Sequence, residues 1–176
     1  ATFNMVGVIR FSLLTPTFNA DRFPDLEAAA TALFDPARMA LRLHLFENLC
    51  LPSLLRQCDP DFQLVVATSN RLPDMYLQKL SDLLAPHSHL HLVQFGAANH
   101  FQILKDAYEL IPDDGESHRI LFRLDDDDAL DGAYVSRTKR LAAGLLPLQA
   151  TPETAYAIAN NRGIYLVREP GQHSQV

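Results

Sequence analysis

The stretch Ile120-Leu121-Phe122-Arg123-Leu124-Asp125-Asp126-Asp127-Asp128 sets four consecutive aspartates directly behind a short, mainly apolar run. Such a run predicts a buried strand, so the aspartates are expected where that strand meets a loop. In open parallel sheets, ligands bind at the carboxyl ends of the strands. Carboxylates this close repel one another, and they either spread into water or are neutralised by a hard cation such as Mg²⁺ or Mn²⁺.

Similar apolar runs and helical patterns alternate along the rest of the chain. The predicted strands cover residues 5–14, 62–68, 89–95 and 119–124, and the predicted helices cover residues 42–57, 73–84, 100–110 and 133–145. Pro52 should kink or break the first of these helices, and Asn99 should cap the third. Residues 15–38 are expected to form a long loop with one short helical turn at 26–33.

This alternation predicts the α/β class, with a Rossmann-like, mostly parallel sheet and helices on both of its faces. Residues 155–159 and 163–167 predict a closing hairpin, which would make the C-terminal end β-rich. His89 and His91 would share one face of the third strand. A zinc site is conceivable there, but a partly exposed edge strand is favoured.

Composition limits the class of protein. A length of 176 residues suits a single domain, and a net charge of −6 argues against a nucleic-acid partner. No apolar stretch approaches the roughly 20 residues that span a bilayer, so no transmembrane segment is expected. Cys50 and Cys58 are expected to be reduced, which favours a cytoplasmic location. The polar end also suits the N-terminal part of a longer protein.

Several common site motifs are missing from the chain. There is no Gly-x-Gly-x-x-Gly fingerprint, which argues against a dinucleotide-dependent dehydrogenase, and no phosphate-binding P-loop. A Gly-x-Ser-x-Gly elbow for acyl transfer is absent as well. The aspartates therefore carry the strongest functional signal, although they could instead cap the next helix or lie solvated at the surface.

Three segments resemble the bacterial rhamnosyltransferase family. They are Arg42-x-x-x-Phe46-Glu47-x-x-Cys50-Leu51-Pro52-Ser53-Leu54-x-x-Gln57, then Asp61-Phe62-x-Leu64-Val65-Val66, and then Arg123-Leu124-Asp125-Asp126-Asp127-Asp128-Ala129-Leu130. The similarity runs from about residue 6 to residue 133. The first and third segments are distinctive, whereas the second is generic for a buried strand.

The resemblance implies a glycosyltransferase of the GT-A type, in which an Asp-x-Asp motif holds a divalent metal against the diphosphate of a nucleotide sugar. Both Asp125-x-Asp127 and Asp126-x-Asp128 fit that motif. We prefer the first register because Asp125 follows the strand directly. By the same resemblance, Asp125 would face the ribose or the metal, and Asp127 the metal, which would be Mn²⁺ or Mg²⁺.

Other polar residues at strand ends and helix starts are expected to line the nucleotide pocket. The candidates for nucleotide-sugar binding are Arg10, Ser12, Ser69, Asn70, Asn99, Lys105, Arg123 and Asp125. Each has a structural alternative: Arg10 and Arg123 could form ion pairs with the aspartates, and Lys105 could be a solvated helix residue. No catalytic base is assigned, although Asp131, Glu153, Glu169 and His173 are available.

The sequence thus predicts a metal-dependent glycosyltransferase that moves a sugar from a nucleotide-sugar donor to a saccharide or glycolipid acceptor. Rhamnose is the sugar that the family name suggests. Two alternatives stay open. One is a nucleotidyltransferase, which would also use carboxylates at strand ends, and the other is a non-catalytic nucleotide-binding or interaction domain.

Overall fold

The computed structural model describes residues 1–17, 22–149, 151, 154–160 and 163–164. Their strands form one sheet: β1 (Phe3–Phe11), β2 (Gln63–Ser69), β3 (Leu90–Phe95) and β4 (His118–Asp125). The order is β3-β2-β1-β4, and every neighbouring pair is parallel. The predicted α/β class and Rossmann-like parallel sheet are confirmed, and β3 lies at an edge as expected.

Helices connect these strands and flank the sheet. They are α1 (Leu26–Leu33), α2 (Pro36–Leu45), a π-helical turn (Phe46–Cys50), α3 (Leu51–Leu55), α4 (Asp74–Leu84), α5 (His100–Glu109) and α6 (Tyr134–Leu145), which a 3₁₀ turn (Leu146–Leu148) follows. None of the helices in the described part of the chain is long and apolar enough to cross a membrane.

The two faces of the sheet carry different helices. One apolar cluster joins alternate residues of β1 to α2, α4 and α6, through side chains such as Met39, Leu80 and Val135. The other joins Val6 and Val8 of β1 to α5. After β3 the chain therefore crosses back on the opposite face and adds β4 beside β1. This reversal of strand order makes the carboxyl ends of β1 and β4 the expected place for a ligand crevice.

The helix after α1 begins earlier than the sequence pattern indicated. Residues 15–38 were expected to be mainly loop, yet α2 starts at Pro36. Oδ1 of Asp35 accepts a hydrogen bond from the Arg38 backbone N–H at 2.9 Å and so caps the helix. Proline is favoured at the first helical position because its missing N–H has no helical partner to lose. The short helix predicted at 26–33 is confirmed as α1.

Pro52 changes the helix without ending it. The π-helical turn ends at Cys50, two residues before Pro52, and the Leu51 N–H bonds to the carbonyl of Phe46, five residues back. This wider turn inserts one residue into the helix, and Pro52 then falls in the first turn of α3, where a missing N–H is tolerated. Residues 36–55 therefore remain one helical segment.

The predicted β-rich end is not confirmed. Residues 154–160 carry no strand and are mostly exposed, so no buried face supports a strand there. Of the second predicted strand, residues 163–164 carry none either, and residues 165–167 lie outside the described part of the chain.

Candidate functional site

A cavity of about 680 Å³ opens at the carboxyl end of β1, where the strand order reverses. It lies between the loop that follows β1, helix α1 and the first half of α2. Its lining consists of Arg10, residues 12–16 and 22–26, Ala29, Ala32, Leu33, Arg38, Arg42, His100 and Asp125. A crevice of this size at this position suits a small-molecule ligand.

The lining is rich in positive charge although the whole chain is acidic. Four arginines line the cavity against two aspartates, Asp25 and Asp125, in a protein of net charge −6. Asp25 also caps helix α1, because its Oδ1 accepts a hydrogen bond from the Ala28 N–H at 2.8 Å. The lining itself therefore has more positive than negative side chains, which favours an anionic ligand.

Asp125, the first of the four aspartates, is paired with an arginine of the neighbouring strand. Arg10 and Asp125 are direct partners in the β1–β4 register, so their side chains extend from the same face of the sheet. The Arg10 guanidinium forms an ion pair with Oδ1 of Asp125, and its Nε lies 3.1 Å from the same oxygen. The Asp125 side chain still retains 44% exposure.

The next two aspartates share a second arginine. Asp126 is fully buried and forms an ion pair with Arg42. In the described residues no donor, the Arg42 guanidinium included, has hydrogen-bonding geometry to its two oxygens. Arg42 also donates to both oxygens of Asp127, at 2.5 and 3.0 Å. Asp127 remains 39% exposed. Arg42 thus holds the buried and the exposed carboxylate together.

Ser53 of α3 and Gln57, which follows that helix, hold the loop that follows the aspartates. Oγ of Ser53 accepts from the Leu130 N–H at 3.1 Å. Gln57 donates to the Asp131 carbonyl at 2.8 Å and accepts from the Val135 N–H at 3.0 Å. Residues 42–57 therefore fix the loop at several points. The Arg42 ion pairs and the Ser53–Leu130 hydrogen bond join the first resemblance segment to the third.

Asp128 completes the turn after β4. Its N–H donates to the Asp125 carbonyl at 3.1 Å. Partial burial raises the pKa of its carboxyl group, and the nearby charges of Asp127 and Asp125 raise it further. Arg42 opposes that change. The four aspartates therefore have different environments, with only the second of them fully buried.

Ser12 shapes the turn that leaves β1. Its φ of 47° lies in the left-handed region, which is uncommon for a residue with a side chain. Its hydroxyl accepts a hydrogen bond from Nη1 of Arg38 at 3.1 Å, and it lies 3.4 Å from the sulfur of Met39. The strained turn therefore brings a hydroxyl to the first arginine of α2. Strain of this kind is concentrated at functional sites.

His100, the first residue of α5, also lines the cavity. It is buried, and burial lowers the pKa of its imidazole. The positive charges of Arg10 and Arg123 lower that pKa further, whereas Asp125 has the opposite effect. His100 therefore contributes a neutral ring near neutral pH.

The structure brings only part of the predicted nucleotide site to the cavity. Arg10, Ser12 and Asp125 line it. Of the other candidates, Lys105 lies exposed on α5 and pairs with Glu109, while Arg123 is an exposed residue of β4.

The remaining predicted residues have local structural roles. Asn99 caps α5 by accepting from the Phe101 N–H at 2.9 Å. Oγ of Ser69 accepts from the Arg71 N–H at 3.0 Å at the end of β2, and Asn70 follows as an exposed residue. None of these three lines the cavity.

The basic side chains that line the cavity and were not among the predicted site residues are Arg22, Arg38, Arg42 and His100. Arg42 is the first residue of the first resemblance segment, so the sequence already marked it as a candidate. Arg38 lies one helical turn before it, and the Asp35-Pro36 start of α2 would have placed both arginines on one helical face. His100 could be found only from the packing of α5.

Asp125 and Asp127 are the residues that would hold a divalent cation, and each already contacts an arginine. The described residues contain no group of three His, Cys, Asp or Glu side chains suited to a metal. Mg²⁺ commonly uses only one or two carboxylates, with phosphate oxygens and water completing its shell. Asp125 and Asp127 fit that arrangement, because both are carboxylates with substantial exposure. Arg10 and Arg42 occupy oxygens that the cation would need, so they would compete with it.

Asp131, one of the residues available as a catalytic base, does not line the cavity. Asp131 pairs with Arg137 on α6, and this ion pair lowers the pKa of its carboxyl group. Glu153, Glu169 and His173 lie outside the described residues.

Comparison with known proteins gives one family. The family model described as "Putative rhamnosyl transferase" matches residues 4–176, nearly the whole chain. No curated protein matches the chain.

Proposed function

This chain belongs to the rhamnosyl transferase family and is a glycosyltransferase, and we propose that its arginine-lined cavity binds the diphosphate end of a nucleotide-sugar donor. The proposed donor carries rhamnose, and the proposed acceptor is a saccharide or a glycolipid. The cavity is the observation on which this proposal rests, since it combines four arginines with the carboxyl ends of β1 and β4.

Diphosphate chemistry suits this lining. Transfer of a sugar expels a nucleoside diphosphate, so negative charge develops on the phosphate oxygens as the glycosidic bond breaks. Guanidinium groups present paired N–H donors that match phosphate oxygens and keep their charge at all working pH values. Arginines already fixed in place would stabilise the leaving group without reorganising.

The aspartates are proposed to orient this positive charge. Asp125 holds Arg10, and Asp126 with Asp127 holds Arg42, so two of the cavity's guanidinium groups have a defined position before any ligand enters. A divalent cation on Asp125 and Asp127, the predicted metal ligands, would add Lewis-acid stabilisation of the same leaving group. The neutral ring of His100, which lines the same cavity, is proposed to contact the donor without adding charge.

Thermal melting tests the donor site. The protein is melted alone, with Mn²⁺, with UDP, dTDP or GDP, and with each nucleotide plus Mn²⁺. A ligand at a hundredfold excess over its dissociation constant should stabilise the fold by about 2.7 kcal/mol. Stabilisation by a nucleotide only when Mn²⁺ is present supports the cation site. Stabilisation by a nucleotide without Mn²⁺ supports the donor site and contradicts the proposed role of the cation.

The double variant Asp125→Asn/Asp127→Asn should lose the cation-dependent part of the shift. A matched control is Asp74→Asn/Asp82→Asn, which changes two exposed aspartates of α4 outside the cavity lining and should behave as the parent. If no nucleotide stabilises the parent protein with or without Mn²⁺, the donor site is refuted. Release of nucleoside diphosphate from a nucleotide sugar in the presence of a saccharide acceptor then tests transfer itself.

A further inference from the structure

We propose that Arg38 is the residue that binds the donor's phosphate groups, because the protein holds its guanidinium in the cavity without a carboxylate partner. This inference rests on the proposed function and adds to it the residue that recognises the anion. It also separates Arg38 from Arg10 and Arg42, whose charges the aspartates balance.

The contacts of Arg38 are with neutral groups. Its Nη1 donates to the Leu33 carbonyl at 2.7 Å and to Oγ of Ser12 at 3.1 Å. The sulfur of Met39 lies 4.0 Å from the same nitrogen. Within the described part of the chain, Arg38 forms no salt bridge, in contrast to its neighbour Arg42. One edge of the guanidinium is thus anchored by uncharged acceptors, and its charge is available to a ligand.

A half-buried cation without a counter-charge is unfavourable in the empty protein. Burial lowers the pKa of Arg38, and the positive charge of Arg42 lowers it further, although Asp127 acts in the opposite direction. A phosphate group would supply the missing negative charge and accept N–H bonds in the planar geometry that guanidinium favours. The free-energy gain on binding is therefore larger at Arg38 than at an arginine that already has a carboxylate.

The anchoring contacts also give Arg38 a defined position. Its backbone N–H is held by the Asp35 cap in the first turn of α2, and its side chain is held by the strained turn at Ser12. An arginine fixed at both ends loses less side-chain freedom when it binds a ligand than a solvated arginine does. The positive φ of Ser12 then has a role, because that turn places the hydroxyl that orients Arg38.

Calorimetric titration of the full chain tests the proposal. Three probes are used: a nucleoside diphosphate that the parent binds, the matching nucleoside without phosphate, and inorganic pyrophosphate. The variants are Arg38→Gln and Arg38→Lys, and the matched control is Arg140→Gln, an exposed arginine of α6. Arg38→Gln should weaken diphosphate and pyrophosphate binding by about tenfold to a hundredfold, as expected for loss of hydrogen bonds to a charged group.

The pattern across the probes distinguishes a phosphate ligand from a structural residue. Nucleoside affinity should be unchanged in Arg38→Gln, and Arg38→Lys should recover part of the diphosphate affinity because it keeps the charge. Parallel losses for nucleoside and diphosphate would mean that Arg38 only shapes the pocket, which overturns the proposal. Unchanged diphosphate affinity in Arg38→Gln would also overturn it, while leaving the donor site in place.

Two further outcomes are separated by the design. If the parent binds no nucleoside diphosphate with or without Mn²⁺, the proposed function fails, and this inference fails with it. If Arg38→Gln does not fold, the Ser12→Ala variant tests the proposal instead. It removes the hydroxyl that accepts a hydrogen bond from Arg38 and keeps the guanidinium. Ser12→Ala should weaken diphosphate binding and spare nucleoside binding, and an unchanged diphosphate affinity would overturn the proposal.

Discussion

Arg42 donates to both carboxylate oxygens of Asp127, at 2.5 and 3.0 Å, across a sequence separation of 85 residues. The same guanidinium forms the ion pair of the fully buried Asp126. The helix that crosses between β1 and β2 therefore fixes the acidic turn that follows β4. A change at Arg42 should affect stability and ligand binding together.

The first prediction concerns the buried ion pair. Arg42→Gln should reduce the free energy of unfolding by about 3–5 kcal/mol, because it leaves the Asp126 carboxylate buried without its counter-charge. Asp126→Asn in the same chain should restore much of that loss, since it removes the buried charge. Urea unfolding of both single variants and the double variant measures the coupling between the two residues.

The control for this prediction is Arg71→Gln. Arg71 pairs with Glu27 at the surface, where both side chains are largely exposed. Such an exposed pair contributes little to stability, because water and salt screen it. If Arg42→Gln costs no more than Arg71→Gln, the buried pair does not have the role that we assign to it.

The second prediction concerns Gln57, whose side-chain amide bridges the Asp131 carbonyl and the buried Val135 N–H. Gln57→Met should lower the free energy of unfolding by about 2–3 kcal/mol, because it leaves a buried N–H without an acceptor. Gln78→Met, on the exposed face of α4, should change it by about 0.5 kcal/mol or less. Urea denaturation gives both values, and similar losses at the two positions would contradict the assigned bridge.

The third prediction concerns the two free cysteines, of which Cys50 is buried and Cys58 exposed. Burial raises the pKa of Cys50 to about 12, and the negative charges of Asp128 and Asp127 add to the effect. Because thiolate is the reactive form, iodoacetamide at pH 8 should modify Cys58 in the folded protein and spare Cys50. Both should react in urea. Peptide mass spectrometry identifies the modified residue, and rapid labelling of Cys50 in the folded state would show that the π-helical turn opens.

The fourth prediction concerns His100. Its pKa is lowered in the folded protein, first by burial and then by Arg10 and Arg123. As pH falls below the ordinary histidine pKa of about 6.5, the unfolded chain takes up the proton first, so folding is disfavoured. Above that pH the ring is neutral in both states and the penalty disappears.

His100→Gln removes this penalty, and the other titrating groups are common to both proteins. The unfolding free energy of the parent should therefore fall relative to that of His100→Gln as pH is lowered from about 7.5 to about 5.5. Urea unfolding at several pH values gives the comparison. A constant difference across that range would show that His100 titrates alike in the folded and unfolded chains.

Much of the fold could be predicted because its signals are local. Apolar runs of strand length and helical spacing placed all four strands of the described sheet, and α1 lies where the pattern indicated. The start of α2 was not predicted, although Asp35 and Pro36 are a typical helix cap and first helical residue. The helix was instead predicted from the apolar spacing that begins at Arg42. The π-helical turn could not be predicted, since the position of an extra residue depends on how Cys50 and its neighbours pack against the sheet.

The candidate site was predicted less completely. Strand ends can be read from sequence, so Arg10, Ser12 and Asp125 were identified and do line the cavity. Ser69, Asn70 and Asn99 also lie at element ends, but none of them lines that cavity, although β2 is the neighbour of β1 and His100 directly follows Asn99. Sequence patterns give the ends of strands and helices, whereas tertiary packing decides which residues at those ends line a cavity.

The sequence by itself determined the α/β class, the parallel sheet and an acidic turn at the end of β4, because strand pattern and charge are properties of short segments. Only the tertiary structure decided how the aspartates are used. Asp126 is buried in an ion pair with Arg42, and Asp125 pairs with Arg10 across two adjacent strands. Arg38 has only uncharged acceptors among the described residues. These pairings join residues far apart in the chain, and packing of helix against sheet, which no local pattern encodes, brings them together.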